Sequence, residues 1–212
     1  GYRLTDQLTV KASYATGAKV PALFQLYSTF GDPNLKEEEI SGYDLGMEYR
    51  NKTTSLYLTF FENHVRNQID YFFETQKYAN IGRAVAKGLE MDLQQQLSQD
   101  VSLTLAYTIQ ETENKDTGEA LLRRPHHFAS FALAITPGPV VFRPALRYVG
   151  PRQDATRALP AYQVTDIYGS YQITPQVRGY GKLTNAFDQE YEEIAGFGVP
   201  GRSGSLGVEA TF

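Results

Sequence analysis

The chain has 212 residues, no cysteine and a formal net charge of −4 at pH 7. The acid excess excludes nucleic acid as the main partner, since phosphate binding asks for a basic surface. The missing cysteines exclude a disulfide framework, a thiolate nucleophile and a Cys-type zinc site.

Mean hydropathy is −0.38, and no window approaches the roughly 18 apolar residues of a membrane helix. Yet 15 Tyr and 12 Phe are many for a soluble core. They fit a transmembrane β-barrel, with aromatic girdles at two interfaces and apolarity spread over alternate residues. The chain opens Gly-Tyr-Arg-Leu, without an initiator Met, an apolar leader or a cleavage site. That start is expected of a mature form or of a segment of something longer.

Period-2 alternation predicts ten strands. The first, 7–17, sets Leu8, Val10, Ala12 and Tyr14 against Thr9, Lys11 and Ser13. The second, 40–50, sets Tyr43, Leu45, Met47 and Tyr49 against Asp44, Gly46, Glu48 and Arg50. The third, 53–73, leaves its facing open at Leu56-Tyr57-Leu58-Thr59-Phe60-Phe61. The fourth, 77–98, sets Leu89, Met91 and Leu93 against Glu90, Asp92 and Gln94. The fifth, 101–112, sets Val101, Leu103, Leu105, Tyr107 and Ile109 against Ser102, Thr104, Ala106 and Thr108. The remaining five are 125–136, 140–150, 162–174, 177–188 and 202–212. The last sets Leu206, Val208, Ala210 and Phe212 against Ser205, Gly207, Glu209 and Thr211.

Several of these strands exceed ten residues, against the usual five or six of globular sheets, and a tilted membrane strand needs roughly 9–11. The connections run long and short in turn. The short ones fall at 51–52, 98–100, 136–139 and 174–176. The long ones fall at 18–39, 74–77 (the weakest case), 113–124, 151–161 and 189–201. Outer-membrane barrels sort their turns this way, short on the periplasmic side and long outside.

Three stretches carry a resemblance. Gly181-Lys182-Leu183-Thr184-Asn185-Ala186-Phe187-Asp188-Gln189-Glu190-Tyr191, then Pro200-Gly201-Arg202, leads into the strand ending at Phe212. Near the start stand Thr16-Gly17-Ala18-Lys19-Val20-Pro21-Ala22-Leu23, Leu26-Tyr27 and Gly31-Asp32-Pro33-Asn34-Leu35. Between them lies Leu121-Leu122-Arg123-Arg124-Pro125. In this order they resemble the TonB-dependent outer-membrane receptors, of the cobalamin and siderophore type.

The resemblance implies an all-β fold over 1–212: about ten antiparallel strands, the C-terminal half of a 22-stranded transmembrane barrel, with the plug domain absent. It implies an outer-membrane location and uptake of a small metal chelate, a ferric siderophore or cobalamin. The implied partners are membrane lipid, the remaining strands and plug, a TonB-type energy transducer reached through that plug, and the barrel assembly machinery. It implies no cofactor.

The site residues follow the same logic. Lys19, Pro21, Asp32 and Asn34 are the candidates for a ligand-facing loop, with turn chemistry as the plainer account. Asn185, Phe187, Tyr191, Pro200, Gly201, Arg202 and Phe212 form the C-terminal signature, tied to assembly. Asn185 is expected to bond its own backbone.

The acidic runs Glu37-Glu38-Glu39 and Glu111, Glu113, Asp116 read as solvated loops. His126 and His127 are expected on opposite faces, unable to chelate one ion together, and His64 stands apart, so no metal site is expected. No catalytic constellation stands out. The rival reading is a self-contained ten-stranded barrel, a passive pore or scaffold, which requires its first and last strands to pair.

Overall fold

The computed structural model describes residues 1–211. Phe212 lies outside the described residues, and with it the expected terminal aromatic. Ten long strands carry the fold: β1 (Leu8–Lys19), β2 (Glu38–Arg50), β3 (Thr54–Phe72), β4 (Lys77–Gln96), β5 (Val101–Asn114), β6 (His127–Ile135), β7 (Val140–Val149), β8 (Tyr162–Thr174), β9 (Val177–Thr184) and β10 (Ser203–Ala210). Each pairs antiparallel with its sequence neighbours, and the two-residue strand Tyr2–Arg3 adds an eleventh member beside β1. Among the described residues no pairing joins Tyr2–Arg3 or β1 to β10, so the sheet stays open. No plug-like domain is found there either.

Register explains why the alternation works. Val10, Met47, Leu58, Met91, Tyr107, Ala129 and Tyr148 fall on one line across seven strands. Ala12, Leu45, Phe60, Leu89 and Ile109 form the next line. Leu45, Phe60, Leu89, Leu206 and Val208 on this apolar face are all exposed.

The opposite face is polar. Lys11 meets Glu48 at 2.5 Å, Arg50 meets Glu48 at 3.0 Å, and Ser13 donates to Asp44 at 2.8 Å. Arg50 also donates to the Tyr57 hydroxyl. The ambiguous third strand is thereby decided. Leu56, Leu58 and Phe60 join the apolar rows, and Tyr57, Thr59 and Phe61 point to the polar side. Phe61 is buried because it lies over Gly88, its partner across the ladder.

Most expected boundaries shift by one or two residues, and the larger departures are these. The 74–77 connection is not a long loop: β3 and β4 run 19 and 20 residues and close at a four-residue turn, 73–76. At about 3.3 Å per residue these strands reach roughly twice the span of a membrane, so strand replaces loop. β9 stops at Thr184 rather than 188, because Asn185 takes φ +51° and turns the chain. The long loops carry unforeseen elements: the five-residue helix α1 (Leu23–Tyr27) and the short hairpins Arg152–Gln153 with Ala158–Leu159 and Glu192–Ile194 with Phe197–Gly198.

Candidate functional site

The antiparallel order gathers the turns 51–53, 97–100, 136–139 and 175–176 at one end of the sheet. The segments 20–37, 73–76, 115–126, 150–161 and 185–202 gather at the other. Two clusters form at that second end.

The first is the docking of segment 20–37 on the β3–β4 hairpin. Lys77 donates its ammonium to the carbonyls of Thr29 and Gly31 at 3.0 and 3.3 Å, and the Tyr78 amide donates to Phe30 at 2.8 Å. Asn80 both accepts from the Lys36 amide and donates to its carbonyl. A β-carbon on Gly31 would lie 2.7 Å from the Leu26 carbonyl carbon, so only glycine allows the loop to fold back on α1. Tyr71 is the hub of an aromatic group, edge-on to Phe30, Phe73 and Tyr78 at 5.0 to 6.1 Å. Phe24 meets Tyr78 at 6.2 Å. Leu23, Phe24 and Tyr27 present their outer faces to solvent.

Here the loop candidates separate. Asp32 accepts the Asn34 amide at 2.8 Å and its side-chain amide at 3.0 Å, closing a local turn. Lys19 bonds Glu38 at 3.2 Å. Glu38 is buried rather than solvated, because it also accepts the Ile69 amide at 2.9 Å. Pro21 leads into α1 from the end of β1. These residues shape the loop, and the aromatics Phe24, Tyr27 and Phe30 beside them are exposed.

The second cluster ties three loops together. Asp154, buried, accepts from the amides of Ala155 and Ala195 at 2.7 Å each and from Arg123 at 2.8 Å. Burial pushes its pKa up, but the two amides and the guanidinium outweigh that and hold it below the usual carboxylate range. Arg152 donates to the Glu192 carbonyl at 2.6 Å and stands 5.3 Å from the centre of the Tyr162 ring. Tyr162 stacks on Tyr191 at 4.2 Å, and Arg147 donates to the Tyr191 hydroxyl at 3.2 Å and pairs with Glu193 at 3.3 Å. Arg157 pairs with Glu192. Arg123 stands in the stretch quoted for the resemblance and Arg147 lies within β7, but their partners sit on other loops, so the cluster itself was not read from the sequence.

Within the C-terminal signature, Asn185 is buried. Its side chain donates to the Gln189 carbonyl at 3.0 Å and accepts the Gln189 amide at 2.9 Å, while its own amide donates to Asp166 at 2.9 Å. Asp188, also at positive φ, accepts the Arg202 amide at 2.7 Å. A β-carbon on Gly201 would lie 2.8 Å from that same carboxylate. Pro200 precedes Gly201, and Phe187 is exposed.

Asn185→Ala leaves the Gln189 amide and carbonyl unpaired at a left-handed residue. The expected cost is about 2–3 kcal/mol, read as a lower unfolding midpoint, with Asn185→Gly recovering only the backbone part.

The histidines depart from expectation. His126 precedes β6 rather than lying in it, so the two rings meet edge to face at 4.5 Å instead of pointing apart. His127 is engaged by the Tyr107 hydroxyl at 2.7 Å and His126 by the Gln110 carbonyl at 2.5 Å. The acidic residues near them are also engaged. Glu111 pairs with Lys87, Glu113 with Lys115, and Asp116 accepts the Gly82 amide.

A family model for the TonB-dependent receptor-like β-barrel matches residues 1–186. The chain belongs to this family. Solved receptors share its fold at low identity. The copper transporter OprC superposes with a TM-score of 0.85 at 19% identity, over 99% of this chain and 38% of OprC. A mutant of the ferric enterobactin receptor PfeA from Pseudomonas aeruginosa, in complex with enterobactin, gives 0.84 at 20%, over 100% of this chain and 39% of PfeA. The ferric-catecholate import receptor Fiu from E. coli K12 gives 0.80 at 19%, over 100% and 34%. The TonB-dependent barrel segment described above therefore spans little more than a third of the length of these receptors.

Proposed function

We propose that the chain is the C-terminal part of the barrel wall of an outer-membrane receptor that imports a small metal chelate, a ferric siderophore or cobalamin. The energy comes from a TonB-type transducer acting through a plug. The observation that carries this reading is the division of the sheet into two faces. Continuous apolar rows suit lipid, and the ion-paired face suits an aqueous lumen. The loop end adds the means of capture, with exposed aromatics at α1 and the arginine–tyrosine stack around Tyr162. Aromatic faces and guanidinium groups together favour an anionic, ring-bearing chelate. In this reading the C-terminal signature and Phe212 serve assembly.

Transport rather than catalysis is the role. The passive-pore reading needs β1 and β10 to pair, and that pairing is not among those the described residues make.

The test is uptake by cells lacking the parent gene, supplied with labelled ferric catecholate, ferric hydroxamate or cobalamin. Loss of one of these, equally lost on removing the TonB-type protein, is the expected result. Uptake of all three unchanged would reject the proposal.

A further inference from the structure

The polar face of the sheet is unevenly charged. On β2 and β4 it carries Asp44, Glu48, Glu90 and Asp92. On β7, β8 and β9 it carries Arg143, Arg147, Arg178 and Lys182, with Asp166 as the acid among them. Between the two lie β5 and β6, whose polar-face positions from Ser102 to Thr108 and from Phe128 to Ala134 bear no charge.

Small side chains leave room along this wall. Two hollows, of about 450 and 370 Å³, share Thr104, Ala132, Ala145 and Asp166 and so form one groove. Arg147 and Tyr191 line its end toward the loops. Arg143, Tyr168 and Lys182 line its end toward the short turns.

At that lower end Arg143 stands opposite Tyr168 in the ladder, and Tyr168 opposite Lys182. Adjacent strands lie about 4.8 Å apart, so the backbones of the two cations are roughly 10 Å apart with a tyrosine between them. Tyr168 in turn stacks with Tyr180 at 6.5 Å. The other charges of the groove are engaged. Arg147 pairs with Glu193 at 3.3 Å, and Asp166 accepts the Asn185 amide at 2.9 Å. Below the groove Arg178 pairs with Glu209. Among the described residues Arg143 and Lys182 make no ion pair, and both are exposed.

A cleft lined by one sign of charge concentrates ligands of the other. We propose that Arg143, Tyr168 and Lys182 form a second binding station for the imported chelate, on the lumenal wall below the loop end, and that it takes an anionic chelate with aromatic rings. Two cations flanking a tyrosine suit a ligand that carries charge on more than one edge and a ring between. The chelate reaches the station along the groove from Arg147 and Tyr191. The station rests on the receptor reading above.

The test uses the full-length receptor in cells, with Arg143→Gln and Lys182→Gln combined. Labelled ferric catecholate is read twice, as binding to de-energised cells and as uptake by energised ones. Binding is expected to stay within about twofold, because capture occurs at the loop end, while the maximal uptake rate falls at least about tenfold. Arg143→Lys with Lys182→Arg keeps both charges and is expected to retain most of the rate. Ala145→Tyr fills the groove between its two ends and is expected to slow uptake with binding intact. Folded mobility on unheated gels is read for every variant.

Unchanged uptake in the glutamine variant or in Ala145→Tyr would overturn the station, as would loss of binding along with uptake. Entry of a large hydrophilic antibiotic into the glutamine strain would also overturn it, since these cations would then anchor the plug. An intact strain that imports cobalamin or ferric hydroxamate but no ferric catecholate overturns the station and leaves the receptor reading standing. An intact strain that imports none of the three rejects both.

Discussion

Replacing Gly88 by leucine is expected to abolish the folded barrel. A β-carbon there would overlap the Ile109 carbonyl oxygen and lie 2.9 Å from Phe61 Cζ and 3.0 Å from Gln110 Cα. Two of those three neighbours are backbone atoms of β5, which cannot step aside without opening the ladder. Overpacking among side chains costs about 1–3 kcal/mol, and here the backbone must move as well, so about 3 kcal/mol or more is expected. The measurement is the heat-modifiable folded band of the receptor in outer-membrane fractions. Gly88→Leu should remove most of it. Gly169→Ala is the matched control, since its nearest neighbour, the Val141 carbonyl oxygen, would lie 3.9 Å away, and the band should survive. Equal behaviour of the two would mean that the β4–β5 packing is not as described.

Asp154→Ala is expected to release the loop end without unfolding the wall. The carboxylate serves three donors from three loops: Arg123, the Ala155 amide and the Ala195 amide. Removing it leaves two amides and a guanidinium short of an acceptor, at about 1–3 kcal/mol. Hydrogen exchange at the Ala155 and Ala195 amides should quicken roughly ten- to hundredfold, with the strand amides of β8 unchanged.

The same contact predicts a pH dependence. The folded pKa of Asp154 lies below its ordinary value of 3.8. Its stabilisation is therefore complete above that ordinary value and is lost as pH falls through the lower, folded one. The intact loops should stay protected through mild acid and open only below the usual carboxylate range. Asp154→Asn should open them at every pH, since an amide offers one acceptor oxygen where the carboxylate offers two. Protection of the Ala195 amide unaltered by either substitution would contradict the tie.

The wall was legible in the sequence because period 2 is a strong constraint. One face of each strand must be apolar throughout, and a slip by one residue would reverse every side chain. Hence 101–112 and, within the described residues, 203–210 read correctly from their own residues, and the ambiguity at 56–61 was resolved only by the neighbours. Phe61 is apolar yet belongs to the polar side, because Gly88 opposite gives its ring a place to lie. Nothing within β3 itself carries that information.

The β3 and β4 lengths were legible, read at 53–73 and 77–98 and found at 54–72 and 77–96, and only the sorting of their four-residue connection among the long loops, its weakest case, was off. The loop end was the least legible part. Asp154, Arg147 and Arg152 join residues 31 to 46 positions away, through pairings that only the folded sheet creates. Asn185 was easier, since its bonds to Gln189 span four residues. The ligand-facing candidates Asp32 and Asn34 matched a family pattern that describes a turn, and their side chains are occupied in making it.

The central claim is that one face of this sheet meets lipid and the other a water-filled lumen. Single cysteines test it directly, because the chain brings none of its own. They would be placed at Asp44, Leu45, Thr59, Phe60, Leu89 and Glu90 in the full-length receptor. Each would be challenged in outer membranes with a membrane-impermeant maleimide, and its attached fluorophore with a lipid-soluble quencher. Labelling at 44, 59 and 90 with quenching at 45, 60 and 89 is the predicted result. Equal labelling on both sets, or the reverse assignment, would contradict the two-faced wall and the receptor function built on it.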